Sequence, residues 1–218
     1  MLNVVEDIDV NVDIDANRVR KMAAYFNAEL DEDNDALTIT MDNQKAKGFI
    51  SSYQISSGLS VRVYNITFHS DLVVDLERSR DGPYCFCYNV QGHFLHRFGN
   101  QEEFVKIHQN QNIIVKGSSE TSAQTVFPAD VKLKIALIIV DLKLLGSLGL
   151  RNAKRIYKKV GEIFQNHPSN LNYRHIGGIE SQTEKFASIV CENNNVGLVA
   201  GLLAEGAVFN MLASQINA

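Results

Sequence analysis

The middle of the chain, from Leu37 to about Val140, alternates apolar and polar residues with a period of two. This period is typical of β-strands, whose successive side chains point to opposite faces. The clearest run spans Val131 to Ile139, where every second residue is aliphatic. Turn-forming segments such as Asp81-Gly82-Pro83 and Gly99-Asn100 separate the runs, and no helix-length segment lies between them. The pattern therefore predicts an antiparallel β-sandwich or barrel.

Helical periodicity flanks this region on both sides. A short helical pattern spans Val19 to Phe26, and an amphipathic one spans Arg151 to Phe164. Two further helices are predicted over Ile179 to Cys191 and from about Val196 to Ile216. The last helix has an apolar stripe wide enough to cover two surfaces, such as the β-domain and a partner helix. The stripe residues that we predict to mediate dimerisation are Leu198, Leu202, Phe209, Leu212 and Ile216.

These patterns divide the chain into three segments. Residues 1–34 form an acidic segment with a short helix, residues 35–140 form the β-domain, and residues 141–218 form a helical segment. A chain of 218 residues can bury one sizeable core, or one core with a smaller helical annex. The predicted fold class is mainly β with α: a cupin-like (jelly-roll) β-barrel followed by a C-terminal helical segment.

Composition and charge narrow the classes of function. The net charge of −4 argues against tight binding of nucleic acid by these residues, because phosphate binding normally needs a basic face. No apolar run approaches the roughly 18 residues of a membrane span, so no membrane partner is expected. The acidic N-terminus lacks the basic-then-apolar layout of a signal peptide, which favours a cytoplasmic location. The three cysteines are accordingly expected to be free thiols.

Aromatic residues offer a candidate ligand-binding wall. Tyr84, Phe86 and Tyr88 alternate along one predicted strand and therefore share a face. Together with Phe68 and Phe94 they are predicted to line the barrel interior, where aromatic rings and a few hydroxyls suit an organic ligand. Ordinary packing in the core is the alternative for each of these residues.

The sequence offers little support for metal binding or catalysis. His93 and His96 lie three residues apart, so on a strand they point to opposite faces and do not easily share a metal. Cys85 and Cys87 share a face, but zinc would need two further ligands, and burial as small apolar side chains explains them better. No phosphate-binding glycine loop, nucleophile elbow or zinc-protease helix is present. We therefore expect no metal, no cofactor and no catalytic residue.

Four stretches of the chain together resemble the N-terminal regulatory domains of AraC-type transcription regulators. Residues 48–77 are similar to the first barrel strands of that family, and residues 83–100 to its central hairpin. Residues 124–141 resemble the closing strand that leads into the helices. Residues 197–217 (GLVAGLLAEGAVFNMLASQIN) resemble the long helix that precedes the paired helix-turn-helix domain, and they are the most specific of the four.

The resemblance implies a barrel that senses a small organic effector, and helices that link it to a homodimer partner. It also implies that DNA is bound only by a C-terminal helix-turn-helix domain, for which no pattern precedes Ala218, so we expect that domain to be absent from this chain. The expected function is effector sensing and dimerisation in a transcriptional regulator that is not an enzyme. Two alternatives remain open: a metal-dependent cupin enzyme acting on a small organic substrate, and a stand-alone module that forms mixed dimers with an intact regulator.

Overall fold

The computed structural model describes residues 2–6, 14–33, 36–76, 82–118, 120–147, 151–164, 170–192 and 198–217. Along the chain, one strand and one helix are followed by eleven strands, and the described chain ends in a mainly helical part. The strands are β1 (Leu2–Glu6), β2 (Glu29–Asp33), β3 (Ala36–Asp42), β4 (Ala46–Ser56), β5 (Leu59–Phe68), β6 (Leu72–Leu76), β7 (Tyr84–Gln91), β8 (Phe94–Phe98), β9 (Val105–Ile107), β10 (Gln111–Lys116), β11 (Ala123–Phe127), β12 (Lys132–Val140) and β13 (Tyr173–Gly178). The helices are α1 (Ile14–Phe26), α2 (Leu142–Ser147), α3 (Arg151–Phe164), α4 (Ser181–Glu192) and α5 (Leu198–Asn217).

The strands form two sheets. The smaller sheet has the order β1-β6-β11-β8-β9, and the larger has the order β13-β10-β7-β12-β5-β4-β3-β2. All neighbouring strands run antiparallel except β1 and β6, which are parallel. The turn between β4 and β5 contains Gly58 at a φ of +79°, a conformation that glycine adopts without steric cost. Its carbonyl accepts a hydrogen bond from Asp141 N (2.8 Å), which joins this turn to the start of the helical part.

The larger sheet is covered on both faces. One face packs against the smaller sheet and α1, where Met22, Ile66 and Phe127 belong to one buried cluster. The other face packs against α3, α4 and α5, where Val61 and Met211 belong to a second buried cluster. Because side chains alternate along a strand, neighbouring residues of one strand contribute to different clusters. This double burial explains why both faces of β12 become apolar toward its end.

The prediction of a mainly β fold with a C-terminal helical part is confirmed. The strands nevertheless form an open sandwich and not a closed barrel, since within the described ranges no backbone ladder joins the smaller sheet to the larger one. Closure would require pairing between the end strands of the two sheets. The strand β9, at one end of the smaller sheet, has three residues and pairs only with β8 in the described structure.

Strands also occur on either side of residues 35–140. The segment preceding residue 35 contributes β1 to the smaller sheet and β2 to the larger one. In the helical part, β13 pairs with β10 from Gln111 to Lys116 and forms the edge of the larger sheet. The sequence of β13 has no strong alternation, because its residues are half-buried or exposed and its conformation is fixed by the backbone of β10. In the described part of the chain, no helix is long and apolar enough to cross a membrane.

Candidate functional site

A cavity of about 90 Å³ lies between the two sheets. One water molecule occupies roughly 10–15 Å³ on the same scale, so the cavity has room for a small organic group. Side chains from seven strands and from α1 line it. Most of the lining is apolar and consists of Val74, Phe94, Ile113, Val115, Phe127, Ile135 and Leu137. A mainly apolar wall with a small number of polar groups is the usual character of a small-molecule site.

Strand β7 presents its cysteines to this cavity and its aromatic residues to the helices. Cys85 and Cys87 line the cavity, whereas Phe86 and Tyr88 belong to the cluster between the larger sheet and the helices. The Tyr88 hydroxyl donates a 2.8 Å hydrogen bond to the carbonyl of Met211 in α5. This placement corrects the predicted position of Phe86 and Tyr88 in the barrel interior. The period of two correctly separates the two faces of β7. Which face borders the cavity depends on the layer that packs against each face.

The other three predicted ligand-binding residues have different positions. Phe94 lines the cavity, as the prediction places it. Phe68 lies in the same buried cluster, where its ring stacks on Phe26, but it is outside the cavity lining. Tyr84 faces the helices, and its ring centroid lies 4.3 Å from that of Phe164 in α3, so its predicted place in the interior is corrected too. Of the five residues, the structure therefore brings only Phe94 to the cavity.

Polar groups enter the cavity from β5. Arg62 and Tyr64 share the inner face of this strand, and Arg62 Nη1 donates to the Tyr64 hydroxyl at 3.3 Å. Arg62 is almost fully buried, which requires hydrogen-bonded neighbours because a guanidinium is costly to remove from water. Arg18 of α1 and Thr125 of β11 complete the polar lining together with His96. The periodicity of β5 gave no reason to expect an arginine on its inner face.

His96 of β8 is 3% exposed and lines the cavity. Arg174 Nη1, from the edge strand β13, lies 3.3 Å from His96 Nδ1, 3.4 Å from the His96 carbonyl and 3.1 Å from Gln101 Oε1. Since a guanidinium can only donate hydrogen bonds, Nδ1 is the acceptor and the ring proton is on Nε2. His96 Nε2 is buried and has no hydrogen-bond partner within the described residues.

The electrostatics keep the His96 ring neutral. Burial lowers the pKa of His96 to about 4, and the positive charge of Arg174 lowers it further in the same direction. A neutral ring with its proton on Nε2 has one hydrogen-bond donor that no group in the described structure accepts. A buried N–H without an acceptor destabilises a protein by about 1–3 kcal/mol, which a ligand oxygen would relieve.

The histidine and cysteine side chains that were considered as metal ligands have the following positions and pKa shifts. His93 is half-buried on the turn before β8. Its pKa is lowered mainly by partial burial and to a smaller extent by the charges of Lys106 and His108. Burial raises the pKa of the Cys87 thiol well above its usual range, which disfavours the thiolate that a metal would need. In the described ranges, no three His, Cys, Asp or Glu side chains are grouped to hold a metal ion.

The predicted dimerisation residues lie on different sides of α5. Leu212 is buried against the larger sheet, Phe209 is half-buried, and Leu202 is 59% exposed. Ten residues separate Leu202 from Leu212, which places them about 80° apart around a helix of 3.6 residues per turn. The side chains of Leu198 and Ile216 lie outside the described ones. Leu203, which is 62% exposed, adjoins Leu202, so the apolar outer surface of α5 includes this pair.

The family model described as the regulatory protein PchR N-terminal domain matches residues 47–218. The chain therefore belongs to the family of PchR-type regulatory N-terminal domains. This match confirms the resemblance predicted from the sequence. No curated protein matches the sequence significantly.

Several solved structures are similar to this chain over part of its length. ToxT from Vibrio cholerae is 14% identical, with 75% of this chain and 58% of ToxT covered and a TM-score of 0.43. The AraC-like transcriptional activator CuxR is 8% identical, with 82% and 61% covered and a TM-score of 0.39. Quercetin 2,3-dioxygenase from Acinetobacter baumannii is 12% identical, with 49% and 40% covered and a TM-score of 0.34. The chain spans less than two thirds of the length of each of these three proteins.

Proposed function

We propose that this regulatory domain binds a small organic effector in the cavity between its two sheets. The observation that carries the proposal is the mainly apolar cavity, which contains a few buried polar groups in a domain of a regulatory family. In the full-length regulator, the bound effector would control DNA binding by a separate helix-turn-helix domain. The net charge of −4 supports a division of labour in which these residues sense and another domain binds phosphates. The domain itself acts without catalysis, cofactor or metal.

The larger sheet connects the cavity to the helices. Cys87 lines the cavity, while the next residue, Tyr88, donates a hydrogen bond to the Met211 carbonyl of α5. Effector binding that favours one position of β7 would thereby favour one position of α5. Such a preference is a population shift, and its size is limited by the difference in effector affinity between the two positions. This contact supports α5 as the element that carries the signal.

A cavity-filling substitution tests the proposed effector site. In Val115→Phe, a larger side chain projects into the cavity, and we expect it to abolish the rise in melting temperature that small aromatic compounds give the wild-type domain. The matched control is Val126→Phe, at a half-buried position of β11 between two lining residues, which therefore faces away from the cavity. The control is expected to keep the ligand-induced rise. Equal loss of the rise in both variants would refute the cavity as the effector site.

We further infer that the domain forms homodimers through the outer surface of α5. Leu202 and Leu203 support this inference, because two adjacent leucines that are mostly exposed on one helix are typical of an interaction surface. Replacing both residues by Ser is expected to weaken dimerisation at least about tenfold, as measured by sedimentation equilibrium. The control replaces Leu144 and Leu171, each 50% exposed and outside α5. If the control weakens the dimer as much as the α5 variant does, this interface assignment is wrong.

The three cysteines agree with a cytoplasmic site of action. Cys85, Cys87 and Cys191 are all free thiols in the structure. Free thiols are usual in the reducing cytoplasm, where the proposed regulator would also meet DNA. We include this location in the proposed function.

A further inference from the structure

We propose that His96 is the residue that recognises the effector, and that it does so by donating its Nε2–H to an oxygen atom of the ligand. The effector is then a small, mainly apolar molecule that carries a carbonyl or carboxylate oxygen. This inference rests on the proposed binding of an effector in the cavity, and it specifies the chemistry of that effector.

The hydrogen bonds of the His96 ring determine which of its nitrogens carries the proton. Arg174 occupies Nδ1 as a donor at 3.3 Å, and this contact places the ring proton on Nε2. Nε2 is buried, and within the described structure no protein group accepts a hydrogen bond from its N–H. Nearly all buried polar groups in proteins have a partner, and we take a ligand in the adjoining cavity to be the partner of this donor. His96 is itself one of the residues that line this space.

The state of the ring decides which ligand chemistry fits. Burial keeps the pKa of His96 low, so the ring is a neutral donor at physiological pH and does not attract ligands by charge. The lining includes Phe94 and Phe127, which suit the carbon skeleton of the ligand, beside the polar side chain of Thr125, which pairs across the strands with His96. Recognition therefore requires an acceptor oxygen on an apolar body. An amide or a carboxylate oxygen accepts the His96 hydrogen bond, and the charges of Arg18 and Arg62 in the same lining favour the carboxylate.

Arg174 has a positioning role in the same site. Its guanidinium joins the His96 ring and backbone of the smaller sheet to β13 of the larger one. Strand β13 ends at Gly178 and α4 begins at Ser181, so only two residues separate them. The first of these, Ile179, is held by a hydrogen bond from its N–H to the Asn110 carbonyl. A ligand that moves the His96 ring therefore acts on a residue whose strand continues into the helical part. This path runs from β13 to α4, whereas the contact of Tyr88 runs from β7 to α5.

The test uses three probes of similar size: benzamide, benzoate and toluene. In a two-bond 1H–15N spectrum of the domain, we expect the free His96 ring to be protonated on Nε2 only. Benzamide and benzoate should shift the Nε2 signal, while toluene, which has no acceptor, should bind about tenfold more weakly and leave the proton state of the ring unchanged. A ring protonated on Nδ1 would overturn the inference without any variant.

Two substitutions complete the test. His96→Gln retains an N–H donor and is expected to keep benzamide affinity within about threefold, whereas His96→Phe removes the donor and is expected to lose about tenfold. Toluene affinity should change little in either variant. If toluene binds the cavity as well as benzamide does, His96 recognition fails and the effector site stands. If none of the three probes binds, both this inference and the proposed site fail.

Discussion

Lowering the pH from about 7.5 to about 5 is expected to reduce the unfolding free energy of the domain by about 2 kcal/mol through His96 alone. The pKa of this histidine falls from the usual 6.5 to about 4 in the folded protein, first because of burial and then because of Arg174. Between these two values, the unfolded chain binds a proton that the folded protein does not. Stability due to His96 is therefore complete above about pH 6.5 and declines as the pH falls toward 4.

The charged neighbours of His96 do not titrate in this window. Arg174 contacts the ring, and Arg18 and Arg62 line the same cavity, and all three guanidinium groups remain protonated throughout. The measurement is urea unfolding at a series of pH values, with His96→Gln as the comparison. Surface carboxylates contribute to the pH dependence of both proteins alike, so the difference between the two curves isolates His96. Parallel curves for the two proteins would show that this histidine is not buried in its neutral form.

Replacement of Phe86 by Ala is expected to lower the unfolding free energy by about 3–5 kcal/mol. Phe86 is 0% exposed and belongs to the cluster between the larger sheet and the helices. It lies opposite Ile138 in the β7–β12 ladder, in the middle of the sheet, where neighbouring strands limit collapse around the lost ring. The expected loss therefore includes both the burial of the ring and the space it leaves. Urea unfolding with an unchanged denaturant slope measures it.

The control for this prediction is Tyr157→Ala. Tyr157 is an aromatic residue of α3 that is 47% exposed, and its loss should cost less than about 1 kcal/mol. Because Phe86 faces away from the cavity, benzamide affinity should be nearly the same in Phe86→Ala and in the wild type. A small loss of stability together with a large loss of benzamide affinity would restore Phe86 to the cavity wall and refute the orientation of β7.

Local patterns predicted much of the secondary structure. The bounds of α3 (Arg151–Phe164) coincide with those predicted, because an amphipathic stripe with a period of 3.6 is distinctive over fourteen residues. The alternating run over Val131 to Ile139 corresponds to β12 (Lys132–Val140) for the same kind of reason. The strand β13 was missed, because an edge strand stabilised by pairing with β10 needs no strong pattern of its own.

The candidate site was predicted less well than the fold. Period two correctly grouped Cys85 with Cys87, and Phe86 with Tyr88, but it assigned the aromatic pair to the interior. In a sheet that is buried on both faces, each face is apolar, so hydropathy does not tell which one borders a cavity. From the sequence, the only functional role considered for His96 was that of a metal ligand, and nothing in its neighbourhood along the chain indicated a buried ring held by Arg174, 78 residues away.

The sequence by itself determined the mainly β fold with its helical C-terminal part and the resemblance to AraC-type regulatory domains. These properties depend on the hydrophobic period and on local likeness, which are written along the chain. Only the tertiary structure decided which face of each strand lines the cavity, and which polar groups meet there. His96, Arg62 and Arg174 come from β8, β5 and β13, and their proximity arises from the packing of two sheets and from strand pairing. Contacts between residues that are distant along the chain leave no periodic trace in the sequence, because each strand satisfies its own pattern with either face turned inward.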